Sequence, residues 1–123
     1  MSILNKFIVP GIGLILTLLT GIILERSGKS LTGLLFNVHK LIALAAVVLT
    51  IIQLVKIFKT QQPQSLLILL LVVCALCVLA LFASGGLMSA GKLDLHSMQI
   101  VHRITSLVFV LGAGGVFYLL GWR

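Results

Sequence analysis

Two histidines, His39 and His102, are the residues of this sequence that are best suited to chemistry. Each follows a valine and precedes a cation, Lys40 or Arg103, next to a long apolar stretch. Ionisable side chains are costly inside a membrane, so they indicate a functional site by default. Neutral imidazole is a good ligand for iron, and its second ring nitrogen can be held by a neighbouring acceptor. The two histidines therefore predict a site with two nitrogen ligands.

An internal repeat relates the two histidines. They lie 63 residues apart (39 to 102), and a Gly-Lys pair recurs at the same separation (28 to 91). One helical turn after each histidine the residue is small, Ala43 in one copy and Ser106 in the other. Gly21 aligns with Ser84 at this offset. Because the repeat is two apolar stretches long, its halves should run in the same direction, with both histidines at one depth.

The composition indicates that membrane-spanning helices position these residues. Of 123 residues, 60% are hydrophobic and 9% are charged, and the mean hydropathy is +1.29. Ordinary globular domains are about half apolar and one quarter charged, so a soluble enzyme, a disordered tail and a disulfide-rich secreted scaffold are excluded. The net charge of +7 comes from cations scattered singly or in pairs. We therefore expect no nucleic-acid partner, and we assign the cations to lipid headgroups.

Four apolar runs are long enough to cross a bilayer, which takes about 20 helical residues. They cover residues 7–24, 38–58, 66–88 and 98–120. Short connections make successive helices antiparallel, so the sequence predicts an all-α, four-helix up-down bundle. It is a single transmembrane domain made of two tandem hairpin repeats, about 1–60 and 61–123. We expect a multi-pass integral protein of a bacterial-type inner membrane in contact with the lipid bilayer, and a homo-oligomer is left open.

The histidine pair is arranged as two axial ligands of a haem iron would be, provided that the second and fourth spans face each other. A haem between helices needs small neighbours, and Ala43 and Ser106 meet that need beside the histidines. Further residues on the same two faces are Ala46, Thr50, Phe109, Gly112 and Ala113. Haem propionates pair with cations at the interface. The candidates for this role are Lys40, Arg103, Lys29, Lys92 and Arg26.

Other readings of the same residues remain open. Histidines beside a cation at the water edge can simply extend to the interface, in which case the chain is a cofactor-free structural or assembly subunit. A minimal dimeric transporter is disfavoured, because the acidic residues Glu25 and Asp94 both lie in loops. His96 has no partner in the repeat, and we predict a solvated residue in the third loop or in the first turn of the fourth span.

The remaining polar and small residues of the spans are predicted to serve packing. Cys74 and Cys77 have apolar flanks and no neighbouring cation, so we expect them to pack against other helices rather than to perform redox chemistry. Interhelical hydrogen bonds are expected from Thr17, Thr20 and Gln53. Close helix contacts are expected at Gly85, Gly86, Gly112, Gly114 and Gly115.

The two histidine-bearing spans resemble those of membrane b-type cytochromes of the cytochrome b561/ferric-reductase-like group. The resemblance rests on residues 38–40 with the apolar stretch to Phe58, and on residues 101–103 with the stretch to Leu120. It implies a helical bundle with one haem b per chain held by His39 and His102. It also implies one-electron transfer, with a quinol or a redox partner subunit as the electron donor.

The sequence departs from the two-haem members of that group, which need two histidine pairs. It has three histidines, and none lies in the half of the spans towards Lys56 and Gly121. The resemblance therefore implies a single haem near one membrane face, so that electron transfer across the whole bilayer would need a partner subunit. No nucleotide-binding or flavin-binding motif occurs. We expect an electron-transfer protein rather than a stand-alone enzyme.

Overall fold

The described residues of the computed structural model, 3–27, 33–91 and 94–121, are almost entirely helical and contain no strand. The helices are α1 (Ile3–Lys6), α2 (Ile8–Ser27), α3 (Leu34–Phe58), α4 (Ser65–Ala90) and α5 (Leu95–Gly121). Helices α2 to α5 are each long and apolar enough to cross a membrane. The prediction of an all-α protein with four spans is confirmed, and this is the make-up of a multi-pass integral membrane protein.

The chain divides into two compact units, Met1–Gln62 and Pro63–Arg123. In the first unit α2 packs against α3, and in the second α4 packs against α5. The helices of the first pair are antiparallel, since Gly13 in the early part of α2 meets Ala46 while Gly21 meets His39. In the second pair Gly85 meets His102 and Gly112 meets Cys74, so α4 and α5 are antiparallel too. Each unit is therefore a helical hairpin.

Two helices begin earlier than the sequence predicts. Helix α3 begins at Leu34 rather than at residue 38, and α5 begins at Leu95 rather than at residue 98. His39 is consequently five residues inside its helix and His102 seven residues inside, where both were expected to open their helices. The added turns consist of residues that a helix accommodates, and apolar periodicity alone does not mark where such a helix starts.

Asp94 determines the start of α5. Its carboxylate accepts hydrogen bonds from the backbone N–H of Ser97 at 3.2 Å and from the Ser97 hydroxyl at 2.8 Å. Its own carbonyl accepts the N–H of Met98 at 3.1 Å, which is the first helical hydrogen bond. These contacts define an N-cap, in which a side-chain oxygen satisfies an N–H that has no partner within the helix. The hydrogen bonds from Ser97 hold the pKa of Asp94 below its ordinary value.

The end of α4 is defined by the backbone conformation and hydrogen bonds of Gly91. Gly91 adopts a left-handed backbone conformation with φ of 66° and ψ of 21°, and its N–H reaches the carbonyl oxygens of Leu87 and Met88. Only glycine adopts this conformation without strain from a Cβ atom, which makes it the usual residue just past a helix end. The glycine of the second Gly-Lys pair therefore ends a helix. Gly28 of the first pair lies outside the described residues.

Small residues let the helices of each hairpin approach closely. A Cβ atom added at Gly13 would lie 3.0 Å from the Ala46 Cβ, and one at Gly112 would lie 2.9 Å from the Cys74 sulfur. At Gly115 the added atom would lie 3.2 Å from Leu70. Lipid tails are as apolar as leucine, so such backbone proximity replaces hydrophobic burial as the source of helix association.

Not every glycine serves packing. An added Cβ at Gly86 or Gly114 would meet no atom within 4 Å. Within the second hairpin, the expectation of a close helix contact is therefore wrong at these two positions. The helical rotation of about 100° per residue turns each of them away from the face on which its neighbour, Gly85 or Gly115, meets the other helix.

We predict that Gly13→Ala destabilises the first hairpin, whereas Gly11→Ala does not. The added methyl at position 13 meets the rigid Ala46 backbone and Cβ, while nothing lies within 4 Å of position 11. Overpacking of this kind costs about 1–3 kcal/mol. Detergent-induced unfolding of both variants, followed by circular dichroism, measures the difference. Equal stabilities would contradict the close contact between α2 and α3.

We predict that the first turn of α5 weakens as Asp94 is protonated. Because the folded-state pKa is lowered, the ionised cap stabilises the helix above the ordinary aspartate pKa of about 3.9 and is lost as the pH falls through the lower folded value. The Ser97 amide resonance in an NMR titration should report this midpoint. Asp94→Ala should abolish the titration, and a Ser97 amide that does not respond to pH would show that the cap does not form.

Candidate functional site

His39 lies in the interface between α2 and α3. Its Nδ1 atom is 2.9 Å from the hydroxyl oxygen of Thr20 on α2. A Cβ atom added at Gly21 would lie 3.1 Å from the Cε1 atom of the ring. The imidazole is therefore held against the backbone of α2, half-buried.

His102 occupies the corresponding place in the second hairpin. Its Nδ1 atom is 2.8 Å from the hydroxyl oxygen of Ser84 on α4. A Cβ atom added at Gly85 would lie 3.7 Å from the Cε1 atom of the ring. Ser84 is the buried polar residue of the described core, with 3% of its surface exposed. Both histidines thus face a hydroxyl followed in sequence by a glycine.

The two hairpins therefore share a three-residue arrangement: hydroxyl, glycine and histidine. Thr20 and Gly21 correspond to Ser84 and Gly85, an offset of 64 residues, whereas the histidines are offset by 63. The alignment of Gly21 with Ser84 in the sequence is thus wrong by one position. The hydroxyl and the histidine are 19 residues apart in the first hairpin and 18 in the second, so the intervening chain is one residue shorter in the second copy.

Each hydroxyl also has a backbone acceptor on its own helix. The Thr20 hydroxyl has the carbonyl oxygens of Leu16 at 2.9 Å and of Thr17 at 3.0 Å as acceptors for its single proton. The Ser84 hydroxyl donates to the carbonyl of Leu81 at 3.1 Å. A polar group in an apolar environment must be hydrogen-bonded to avoid a large cost, and these contacts meet that need for hydroxyl and imidazole together.

The cations that follow the two histidines have different surroundings. Lys40 is half-buried, and its Nζ atom lies 4.4 Å from the centroid of the Phe36 ring, one turn earlier on α3. Arg103 is exposed on α5. The further propionate candidates Lys29 and Lys92 lie outside the described residues. A cation thus accompanies each histidine on its own helix.

The small residues one turn after the histidines are both half-buried. Ala43 has only a methyl group as its side chain, one turn after His39 on α3. Ser106 donates its hydroxyl proton to the Arg103 carbonyl at 2.7 Å. Deeper on the same faces, Ala46 packs against Gly13 and Gly112 packs against Cys74, so both take part in the close approach of helices within their hairpins.

The third histidine and the two cysteines lie at other positions of α4 and α5. His96 is exposed in the first turn of α5. Cys74 and Cys77 carry free thiols in the middle of α4, and Cys74 packs against α5 at Gly112. In the described part of the chain no group of three or more histidine, cysteine, aspartate or glutamate side chains could hold a metal ion.

The hydroxyl partners were only half recognised from the sequence. Thr20 was expected to make an interhelical hydrogen bond, and it does so with His39. Ser84 was given no such role because it was aligned with Gly21. The signal that identifies both is a hydroxyl residue followed by glycine, placed 19 or 18 residues before a histidine. A separation of this length lets the chain leave one helix, pass through the connection and place the histidine opposite the hydroxyl on the next helix.

Comparison with protein-family models, with curated proteins and with solved structures finds no match to this chain.

We predict that Gly21→Ala disturbs its histidine and that Gly85→Ala does not. The added methyl at position 21 would lie 3.1 Å from the His39 ring, so the ring must shift, whereas 3.7 Å at position 85 is ordinary contact. The loss should be about 1 kcal/mol, because an interhelical hydrogen bond in a membrane contributes about 0.6 kcal/mol on average and strain adds to it. Detergent-induced unfolding measures both variants, and equal losses would contradict this difference between the hairpins.

Proposed function

We propose that this protein is a small integral membrane b-type cytochrome, or a haem-bearing subunit of a membrane complex, in which His39 and His102 are the axial ligands of one haem b. The observation that carries the proposal is the repeated arrangement of hydroxyl, glycine and histidine, one in each hairpin. Two imidazoles held in the same way at equivalent positions match a cofactor that takes two equivalent nitrogen ligands.

The chemistry of the donor set fits haem iron. A histidine that binds a metal through one ring nitrogen normally has its other nitrogen hydrogen-bonded to a neighbouring group, which fixes the ring and raises its basicity. Thr20 and Ser84 lie at Nδ1 of their histidines at 2.9 and 2.8 Å. In this arrangement Nε2 would be the ligating atom.

Haem b, when bound, supplies one-electron oxidation and reduction of its iron. The residues of this chain hold and tune the group. Lys40 and Arg103, each next to a ligand, are placed to pair with the propionate carboxylates. The apolar spans exclude water, and such burial raises the reduction potential of a site by disfavouring the more highly charged state.

The proposal places the protein in a bacterial-type inner membrane, with a quinol or a redox partner subunit as its electron donor. With one haem on the side of the α2–α3 and α4–α5 connections, the chain relays electrons near one membrane face. A partner subunit would complete any path across the bilayer. These assignments follow from the resemblance to membrane b-type cytochromes and from the positions of His39 and His102 in their helices.

The test is an absorption spectrum of the protein purified in detergent from cells supplied with haem, first oxidised by air and then reduced by dithionite. We expect a low-spin spectrum whose α band sharpens on reduction. His39→Ala and His102→Ala should each turn all of the haem high-spin or remove it, because each deletes one of two axial ligands. Added imidazole should restore the low-spin spectrum if it enters the vacated position.

His96→Ala is the matched control, since His96 is an exposed histidine on the same helix as His102. Its spectrum should equal that of the unmodified protein. If each ligand variant lost only half of the haem, the pairs would instead form between identical histidines of two copies. A colourless protein would overturn the proposal in favour of a cofactor-free packing subunit, whose partner would then be sought among co-purifying proteins.

A further inference from the structure

We infer that Thr20 and Ser84 are positioning residues, each of which fixes its histidine as the Nδ1–H tautomer so that Nε2 carries the lone pair. That this lone pair binds iron rests on the proposed function. The tautomer itself is a property of the chain and can be measured without haem.

The inference begins with the single proton of each hydroxyl group. A serine or threonine hydroxyl donates one hydrogen bond and accepts up to two. The Ser84 hydroxyl donates to the carbonyl of Leu81, which as an oxygen acceptor has no proton to give. With the hydroxyl proton directed to the Leu81 carbonyl, the Nδ1 atom of His102, 2.8 Å from the same oxygen, is the donor.

The first hairpin leads to the same assignment with stronger backbone contacts. Thr20 has two carbonyl oxygens within reach of its hydroxyl, at 2.9 and 3.0 Å. If its proton were turned towards His39 instead, the hydroxyl oxygen would face both carbonyl oxygens with no proton between them. Such repulsion between lone pairs is unfavourable in an apolar environment, where electrostatic interactions are strong.

Burial makes the assignment matter for function. A neutral imidazole in water favours the Nε2–H tautomer, which has its lone pair on Nδ1, beside the backbone of its own residue. Ser84 is almost fully buried and the imidazole is half-buried, so the hydroxyl can override this preference. The ligand atom is then Nε2, which in each ring is the nitrogen farther from the backbone of the helix that carries the histidine.

The experiment is ¹⁵N NMR of the full-length protein with labelled histidine, produced in haem-deficient cells and studied in lipid nanodiscs. The pH is set about two units above the ordinary histidine pKa of ~6.5, so that the rings are neutral. Protonated and unprotonated ring nitrogens are well separated in shift, and their couplings to the ring protons identify Nδ1 and Nε2. Replacing each histidine in turn assigns the three signals.

We expect His39 and His102 to show the Nδ1–H pattern, and exposed His96 to show the Nε2–H pattern of a solvated ring. Thr20→Val should shift only the His39 signals towards the Nε2–H tautomer. Ser84→Ala should shift only those of His102. A structural disturbance of the whole bundle would not select one histidine in this way.

Two matched control variants remove hydroxyls that contact only their own helix. The Thr50 hydroxyl donates to the Ala46 carbonyl at 2.7 Å, and the Ser106 hydroxyl donates to the Arg103 carbonyl at 2.7 Å. Thr50→Val and Ser106→Ala should leave all three histidine patterns unchanged. A change at His39 or His102 in these controls would show that the tautomers follow general packing, which would overturn the inference.

Nε2–H patterns at both histidines of the unmodified protein would also overturn the inference, because the hydroxyls would then be donors to Nδ1. An Nε2–H pattern at His39 alone would remove Thr20 from the role. The outcome for haem is separate. Nδ1–H patterns in a protein that binds no haem would uphold the tautomer inference and reject haem ligation. Nε2–H patterns in a protein with a bis-histidine haem spectrum would uphold haem ligation and reject the tautomer inference.

In the haem-loaded protein the same two variants give a second readout. An Nδ1–H group that donates to a hydroxyl makes its imidazole a stronger electron donor, which favours ferric iron. Thr20→Val and Ser84→Ala should each raise the reduction potential of the haem and lower its affinity by roughly 10- to 100-fold. Unchanged potentials and affinities in both variants would show that the hydroxyls do not act through the ligands.

Discussion

The need to satisfy polar groups inside an apolar environment is the constraint on which this structure depends. Imidazoles and hydroxyls are costly in lipid unless they are hydrogen-bonded, and the described hairpins pair them across the helix interface. Thr20 bonds His39 in the first hairpin, and Ser84 bonds His102 in the second. Each pairing also fixes the register of its two helices, because a shift of one residue would rotate the hydroxyl away from the ring.

Glycine makes that pairing possible. A hydroxyl on one helix can reach a ring on the next only if the backbones lie close, and Gly21 leaves the space that the His39 ring occupies. The same device recurs deeper in each hairpin, where Gly13 meets Ala46 and Gly112 meets Cys74. Since lipid offers no hydrophobic drive for helix association, close packing and a few hydrogen bonds must supply it. The hairpins are accordingly rich in small residues along their seams.

The two copies of the arrangement are similar but not identical. The His39 ring lies closer to its glycine, with Cε1 3.1 Å from a Cβ atom added at Gly21, than the His102 ring, for which the distance at Gly85 is 3.7 Å. Ser84 is nearly fully buried, whereas Thr20 is only half-buried. The polar contact is thus of the same kind in both hairpins, while its surroundings differ.

The sequence by itself determined the class of protein, the number of spans and the recurrence of a histidine, because these depend on composition and on apolar runs about 20 residues long. It also identified Thr20 as an interhelical hydrogen-bond donor or acceptor. The helix starts were missed, since α5 begins where the Asp94 side chain caps it and α3 begins within residues that suit helix and loop alike. The role of Ser84 was missed for a related reason. Which hydroxyl meets which ring depends on the length of the connection and on the rotation of each helix, and those are decided only when two helices pack.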